Sequence, residues 1–113
     1  MNKIIITITM IVAIPSASNK IDALIDERFG RCPFFCFYNT QTKNSEFKEN
    51  IIKNAAEGVG PQVVEFLANN GISEVYACEF GPKAKNMLEK LKIKMRFVDR
   101  KQTIQQLITM LNF

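Results

Sequence analysis

The chain has 113 residues, of which 47% are hydrophobic, and a formal net charge of +4. These values are typical of one folded domain and exclude an intrinsically disordered chain. No apolar run reaches the roughly 20 residues of a membrane-spanning helix, and the absence of histidine excludes serine–histidine and cysteine–histidine catalytic pairs. The three cysteines, an odd number, favour thiols in a reducing cytoplasm over disulfide bonds.

The apolar run Ile4–Ile14 has two interpretations. Because Pro15-Ser16-Ala17-Ser18 follows it, the run has the outline of a short signal peptide. Its many isoleucines and threonines are more typical of a strand, and we favour a buried first strand at Met10–Ile14. We therefore treat residues 1–9 as an N-terminal extension that projects past the sheet, and residues 10–113 as the folded domain.

A long loop and a hairpin follow the first strand. The loop covers residues 16–32, with a predicted helical turn at Ile21–Ile25. Pro33–Tyr38 is apolar throughout, which predicts a second buried strand. The polar residues 39–44 predict a turn, and the more polar Glu46–Ile52 predicts a third strand that pairs back as a hairpin at an edge of the sheet.

Three helices alternate with two strands in the rest of the chain. The predicted elements are a helix opened by Gly60-Pro61 and stopped by Asn70-Gly71, a strand at Glu74–Cys78, a helix opened by Gly81-Pro82, a half-exposed edge strand at Ile93–Phe97, and a last helix capped by Thr103 and Gln106. Alternation of strands and helices calls for a largely parallel sheet, to which the hairpin adds an antiparallel pair. We predict an α/β fold with a five-stranded mixed sheet in the order 3-2-1-4-5 and helices on both faces.

A ligand crevice is predicted where the strand order reverses, between the loop after strand 1 and the Cys78–Pro82 loop after strand 4. Two segments start helices, Gly58-Val59-Gly60-Pro61 and Gly81-Pro82. Their glycines would let an anion approach the backbone, where it would meet the positive end of a helix dipole. Such starts are also ordinary helix openers, and neither contains a Walker or Rossmann pattern. Three basic residues near the crevice either neutralise an anionic ligand or are solvated surface charges, namely Arg28, Arg31 and Lys83.

The three cysteines differ in position along the predicted elements. Cys32 ends the long loop and Cys78 ends strand 4, so each is either a small buried residue or a thiolate ligand for iron. Cys36 lies in the middle of strand 2, about 13 Å from Cys32 along an extended chain, which is too far for both to bind one ion. We assign Cys36 to the core. The Cys-x-x-Cys spacing of a permanent cluster site is absent.

Four segments in order along the chain resemble the signatures of the dinitrogenase iron–molybdenum cofactor biosynthesis family. They are Ile11–Ser16, Arg28–Phe35, Asn54–Pro61 and Phe80–Ala84, and the resemblance covers residues 10–113. It implies a three-layer ribonuclease H-like fold. It also implies a non-enzymatic protein that binds or carries an iron–sulfur or iron–molybdenum cluster, or its precursor, for delivery to a client metalloprotein or cluster-assembly protein.

The resemblance also implies a set of site residues. The motif positions that carry over as cofactor contacts are Arg28, Phe29, Gly30, Arg31, Cys32, Gly58, Gly60 and Gly81. Lys83 joins them because it starts the helix beside the predicted crevice. Cys32 and Cys78 are the candidate metal ligands. The chain departs from the family pattern at Arg28 and Val59, where many members have histidine.

These departures keep a second function open, a protein-interaction or regulatory module that has lost metal binding. A nuclease of the ribonuclease H type is not expected. That chemistry needs several carboxylates around two divalent ions, whereas strands 1, 2 and 4 contain only Glu74. The mild positive charge fits any anionic partner. We expect a cytoplasmic protein that uses neither nucleic acid nor membrane as a partner.

Overall fold

A computed structural model describes residues 10–99 and 101–111. Its elements, in chain order, are β1 (Ile11–Ser16), β2 (Phe34–Asn39), β3 (Ser45–Glu49), α1 (Val59–Asn69), β4 (Glu74–Ala77), α2 (Pro82–Lys90), β5 (Lys94–Phe97) and α3 (Ile104–Leu111). The order of strands and helices is the predicted one. The predicted N-terminal extension, residues 1–9, lies outside the described residues.

The five strands form one mixed sheet in the order β3-β2-β1-β4-β5, as predicted. β1 pairs antiparallel with β2 and parallel with β4. The β2–β3 pair is antiparallel and the β4–β5 pair is parallel. The apolar strand β1 therefore lies at the centre, where Ala13 pairs with Phe37 on one side and with Val75 on the other. Since β1 runs to Ser16, it ends two residues later than we predicted.

The sheet separates two apolar clusters, because successive side chains of a strand point to opposite faces. α1 and α2 pack on one face, around Phe35 and Val75. α3 packs on the other face, around Ile14 and Tyr38. This confirms the predicted helices on both faces. No helix of the described ranges is long and apolar enough to cross a membrane.

Three local predictions were wrong. The first helix starts at Val59 with Gly58 as its N-cap, so Gly60 and Pro61 lie within its first turn instead of opening it. The predicted helical turn at Ile21–Ile25 is instead a loop tied to the sheet, because Ile25 forms an isolated β-bridge with Ser16 and Leu24 forms one with Thr103. The third strand ends at Glu49 rather than at Ile52. Asn50 bends the chain there, since its side-chain oxygen accepts a hydrogen bond from the backbone N–H of Ile52 at 3.1 Å.

The start of α3 has the predicted capping box. The backbone N–H of Gln106 donates to Thr103 Oγ1 at 3.1 Å, and the backbone N–H of Thr103 donates to Gln106 Oε1 at 2.8 Å. Two backbone donors at the helix start are thus satisfied by side chains. α1 and α2 begin differently, and their starts form part of the pocket described next.

Candidate functional site

A pocket of about 560 Å³ lies beyond the carboxyl ends of β1 and β4. Three segments contribute to its walls: residues 28–31 from the loop after β1, residues 58–61 at the start of α1, and residues 79–84 around the start of α2. The volume is in the range of small-molecule and cofactor sites. The pocket lies where the strand order reverses, which is the position predicted for the crevice.

Both helices at the pocket begin at a glycine, without a side-chain cap. Gly58 is the N-cap of α1 and Gly81 the N-cap of α2, and neither helix has an acidic residue in its first turn. Gly58 has a φ of 68°, a left-handed conformation that favours glycine. The first N–H groups of each helix are therefore left without a side-chain acceptor, and the positive ends of two helix dipoles meet at one pocket.

The glycines of the pocket walls have different roles. A Cβ on Gly60 would lie 3.3 Å from the Cβ of Ala84, and a Cβ on Gly30 would lie 2.7 Å from Val59 Cγ1. These two glycines let the three wall segments approach each other. Gly81 differs, because a Cβ there would meet no atom within 4 Å. A side chain at position 81 would therefore extend into open space at the pocket.

The three basic residues of the pocket differ in their surroundings. Arg28 Nε donates to Asp26 Oδ1 at 3.1 Å and its Nη2 to Oδ2 at 2.9 Å, and these hydrogen bonds raise the pKa of Arg28. Arg31 Nη1 donates to the carbonyl oxygens of Lys53 at 3.0 Å and Ala55 at 3.3 Å. Lys83 is exposed in the first turn of α2. Arg28 is thus largely balanced by Asp26, while Arg31 and Lys83 give the pocket rim its positive charge.

The pocket also contains residues that the sequence reasoning missed. The additional lining residues are Val59, Pro61, Glu79, Pro82 and Ala84. Four of them lie next to a predicted glycine or just before the second helix, and Ala84 lies in the first turn of that helix, so their position along the chain was the available signal. Glu79 is the one carboxylate that lines the pocket within the described part of the chain.

Cys32 does not line the pocket but lies beneath its 28–31 wall. The residue is fully buried, and its thiol donates to the carbonyl oxygen of Phe29 at 3.5 Å. Burial, together with the nearby Asp26 carboxylate, raises the pKa of the Cys32 thiol to about 12. The raised pKa makes the loss of the thiol proton, which binding of a metal requires, less favourable at Cys32 than at an exposed cysteine.

Cys78 lies away from Cys32. Cys78 packs against the α3-side cluster, whereas Cys32 belongs to the cluster on the other face of the sheet. Over residues 10–99 and 101–111, no group of three or more cysteine or acidic residues could hold a metal ion. Ligation of iron by Cys32 and Cys78 therefore stays a prediction, and the surface of the pocket gives it no support. Cys36 is fully buried in the core, as expected.

A buried amide, Asn50, fixes the 28–31 wall from below. Its Nδ2 donates to the carbonyl oxygens of Gly30 and Cys32, both at 2.9 Å. The same side chain accepts from Ile52, so one residue joins the wall to the end of the β2–β3 hairpin. No sequence pattern distinguishes Asn50 from the other asparagines, because its role depends on where the folded hairpin meets the loop.

Comparison with known proteins identifies the family of this chain. The family model described as "Dinitrogenase iron-molybdenum cofactor" matches residues 10–112. The chain belongs to this family. It is 32% identical over 96 residues to the uncharacterized protein MJ0580 of Methanocaldococcus jannaschii, a match that covers 82% of this chain and 78% of that protein.

Two solved structures are similar to the structure of this family member. The apo form of the orange protein from Desulfovibrio gigas superposes with a TM-score of 0.84 and 25% identity, over 92% of this chain and 88% of that one. TM1290, a NifB-like protein from Thermotoga, superposes with a TM-score of 0.73 and 34% identity, over 88% and 84% of the two chains. The predicted family and fold are thereby confirmed.

Proposed function

We propose that this protein binds and carries an iron–sulfur or iron–molybdenum type cluster, or a precursor of one, and delivers it to a client metalloprotein or cluster-assembly protein. The observation that carries the proposal is a single pocket at which two uncapped helix N-termini meet, with Arg31 and Lys83 at its rim. The name of the family supports it. So does the similarity to the orange protein, whose structure is of an apo form.

The pocket fits an anionic cargo better than a bare metal ion. Helix N–H groups and a guanidinium donate hydrogen bonds, which suits the sulfur or oxygen atoms of an anionic cluster. A bare cation would instead need thiolate, imidazole or carboxylate ligands. Of these three ligand types, the described pocket lining contains only one carboxylate, that of Glu79. The cluster would therefore be held through its own anionic atoms, an arrangement that permits release.

In this function the protein carries out no catalytic step and acts in the cytoplasm. Its partner is a client protein, and neither nucleic acid nor membrane is a partner. The reasons are chemical. Hydrolysis assisted by two metal ions needs converging carboxylates, and a cluster with exposed sulfide is stable only under reducing conditions. Cluster delivery requires a second protein to receive the cargo.

One observation favours a second candidate, an interaction or regulatory module without metal. The thiol that lies beneath the pocket wall, Cys32, is fully buried and has a raised pKa, and no cysteine lines the pocket within the described residues. In this reading the family fold is retained and the pocket binds another anion, or serves only to shape a protein surface.

Anaerobic incubation with ferrous iron and sulfide separates the two candidates. After desalting, iron content and visible absorbance are measured for the wild type, for Gly81→Leu, and for Gln105→Leu. Gly81→Leu adds a bulky side chain to the pocket lining without backbone strain, since φ is −67° at this position. Gln105→Leu is the matched control, because Gln105 is exposed on α3, across the sheet from the pocket.

We expect iron and visible absorbance with the wild type and Gln105→Leu, and loss of most of both with Gly81→Leu. Absence of iron from all three proteins would favour the module without metal. Equal loading of all three would show that the cargo binds outside the pocket.

A further inference from the structure

The positive charge of the protein is concentrated on one segment. Residues 82–97, which form α2 and β5, contain six basic residues and one acidic residue, whereas the whole chain has a net charge of only +4. The rest of the chain is therefore slightly acidic. The basic residues of this segment are all exposed: Lys83, Lys85, Lys90, Lys92, Lys94 and Arg96.

Most of this charge is uncompensated. Arg96 forms an ion pair with Glu74 of the neighbouring strand. The other ion pairs of the described ranges lie elsewhere, at Arg28, Lys48 and Lys53, so none involves a lysine of residues 82–97. The surface at the sheet edge formed by α2 and β5 is consequently positive on both faces, since α2 with its lysines lies on one face and Lys94 and Arg96 point to the other. Such a surface attracts acidic partners.

An exposed aromatic residue lies within this positive surface. Phe97, at the end of β5, is 71% exposed. Its ring meets the ring of Phe80 edge-on, with centroids 5.4 Å apart, and Phe80 is 5.4 Å from Phe29, which lines the pocket. A row of three aromatic rings thus connects the outer strand with the pocket. Aromatic residues of this kind are frequent anchors of protein interfaces.

Among the described residues, the backbone of β5 is paired on one side only. β5 is the outermost strand of the sheet, and within the described residues its one strand partner is β4. The N–H groups of Lys94 and Val98 donate to Ser73 and Ala77 on the β4 side. Because alternate residues direct their backbone groups to opposite edges, Met95 and Phe97 direct theirs outward. An extended segment can pair with such an edge.

We infer that Lys94–Phe97, termed here the docking edge, binds an extended acidic segment of a partner protein, with an apolar side chain of that segment against Phe97. Pairing with the outward groups of Met95 and Phe97 requires peptide groups, which a nucleic acid or a lipid lacks. A second copy of the chain is disfavoured, because it would bring the same lysines to the interface. That this partner is the recipient of the cluster rests on the proposed function, whereas docking itself does not.

The binding test uses cluster-free, ¹⁵N-labelled protein and a peptide of one strand length, about six residues, that alternates glutamate with valine. Amide shifts report the binding site, and fluorescence anisotropy of the labelled peptide reports affinity. Three probes are compared with this peptide: the lysine-for-glutamate version, a version N-methylated at alternate residues, and an oligothymidylate of equal length. We expect shifts at residues 94–98, and affinity at least about tenfold weaker for the two altered peptides.

Two variants and a control complete the test. Phe97→Ser and Lys94→Glu should each weaken binding of the acidic peptide by about tenfold. Lys48→Glu should leave it unchanged, since Lys48 lies on β3 at the opposite edge of the sheet. Because Phe97 is largely exposed, its replacement is compatible with folding.

Several outcomes would overturn the inference: no binding of the acidic peptide, shifts confined to other residues, equal binding of the N-methylated peptide, or tighter binding of oligothymidylate at the same residues. The proposed function is tested separately, because Gly81→Leu should lose iron loading and still bind the peptide. Failure of the wild type to load iron would leave the docking edge intact.

Discussion

Asn50 is fully buried, and its amide bonds to three backbone groups. Asn50→Ala would leave the carbonyl oxygens of Gly30 and Cys32 without the donor they now share, and Cys32 is fully buried. We expect the free energy of unfolding to fall by about 2 kcal/mol or more, the usual cost of buried unsatisfied groups. Urea unfolding measures it. Asn44→Ala, at an exposed position of the β2–β3 turn, is the control and should change the value by less than about 0.5 kcal/mol.

The two buried thiols predict a loss of stability at alkaline pH. Burial raises the pKa of Cys32 and of Cys36 from 9.0 to about 12. Between these values the unfolded chain has lost protons that the folded chain keeps, so the free energy of unfolding falls as pH rises. The slope contributed by each thiol approaches about 1.4 kcal/mol per pH unit.

Urea unfolding over about pH 9 to 11 tests this dependence. The double variant Cys32→Ala/Cys36→Ala should show a shallower slope than the wild type. Thr109→Ala, at an exposed position of α3 without a titrating side chain, is the control and should retain the wild-type slope. Identical slopes for the double variant and the wild type would contradict the prediction.

At the scale of elements, α3 depends on its capping box, because a helix of eight residues is too short to be stable by itself. Thr103→Ala removes the acceptor for the backbone N–H of Gln106. We expect a loss of about 1 kcal/mol in the free energy of unfolding, measured by urea unfolding. Thr109→Ala, on the exposed face of the same helix, is the control. An equal effect of the two substitutions would show that propensity, rather than the cap, determines the stability of α3.

The sequence was informative about elements whose signals are local. The capping box of α3, the Gly81-Pro82 start of α2 and the apolar pattern of β1 all depend on neighbours along the chain, and the structure has them as predicted. Leu24 and Ile25 are different, because their backbone groups bond to Ala17 and Gln102, which are close only after folding. No local pattern could distinguish that bridged loop from a turn of helix.

At the scale of the whole molecule, the position of the pocket followed from strand order alone, whereas the states of its side chains did not. The reversal of order between β1 and β4 locates a crevice whatever the residues are. The position of Cys32 at the end of the loop was compatible with either exposure or burial. Its burial depends on α1 and α2 closing over it, which glycines 30 and 60 permit by close approach.

We expect the folded unit to begin at residue 10. The family match starts at residue 10, and the carbonyl oxygen of Met10 accepts a hydrogen bond from the backbone N–H of Thr40 at 3.0 Å. The central strand β1 starts one residue later and pairs on both sides. A chain that starts at Met10 should therefore keep the free energy of unfolding within about 1 kcal/mol of the full chain. It should also aggregate less, because Ile4, Ile5, Ile6 and Ile8 are removed.

Urea unfolding and size-exclusion chromatography of the two chains test this boundary. A third chain that starts at Ala13 is the control. It lacks Ile11 and Val12, and the side chain of Val12 is buried in the α3-side cluster. This chain also loses the first paired residues of the central strand, so we expect it to unfold without cooperativity. If the chain from Met10 behaves in the same way, residues 1–9 belong to the core, and the folded unit is larger than the family match.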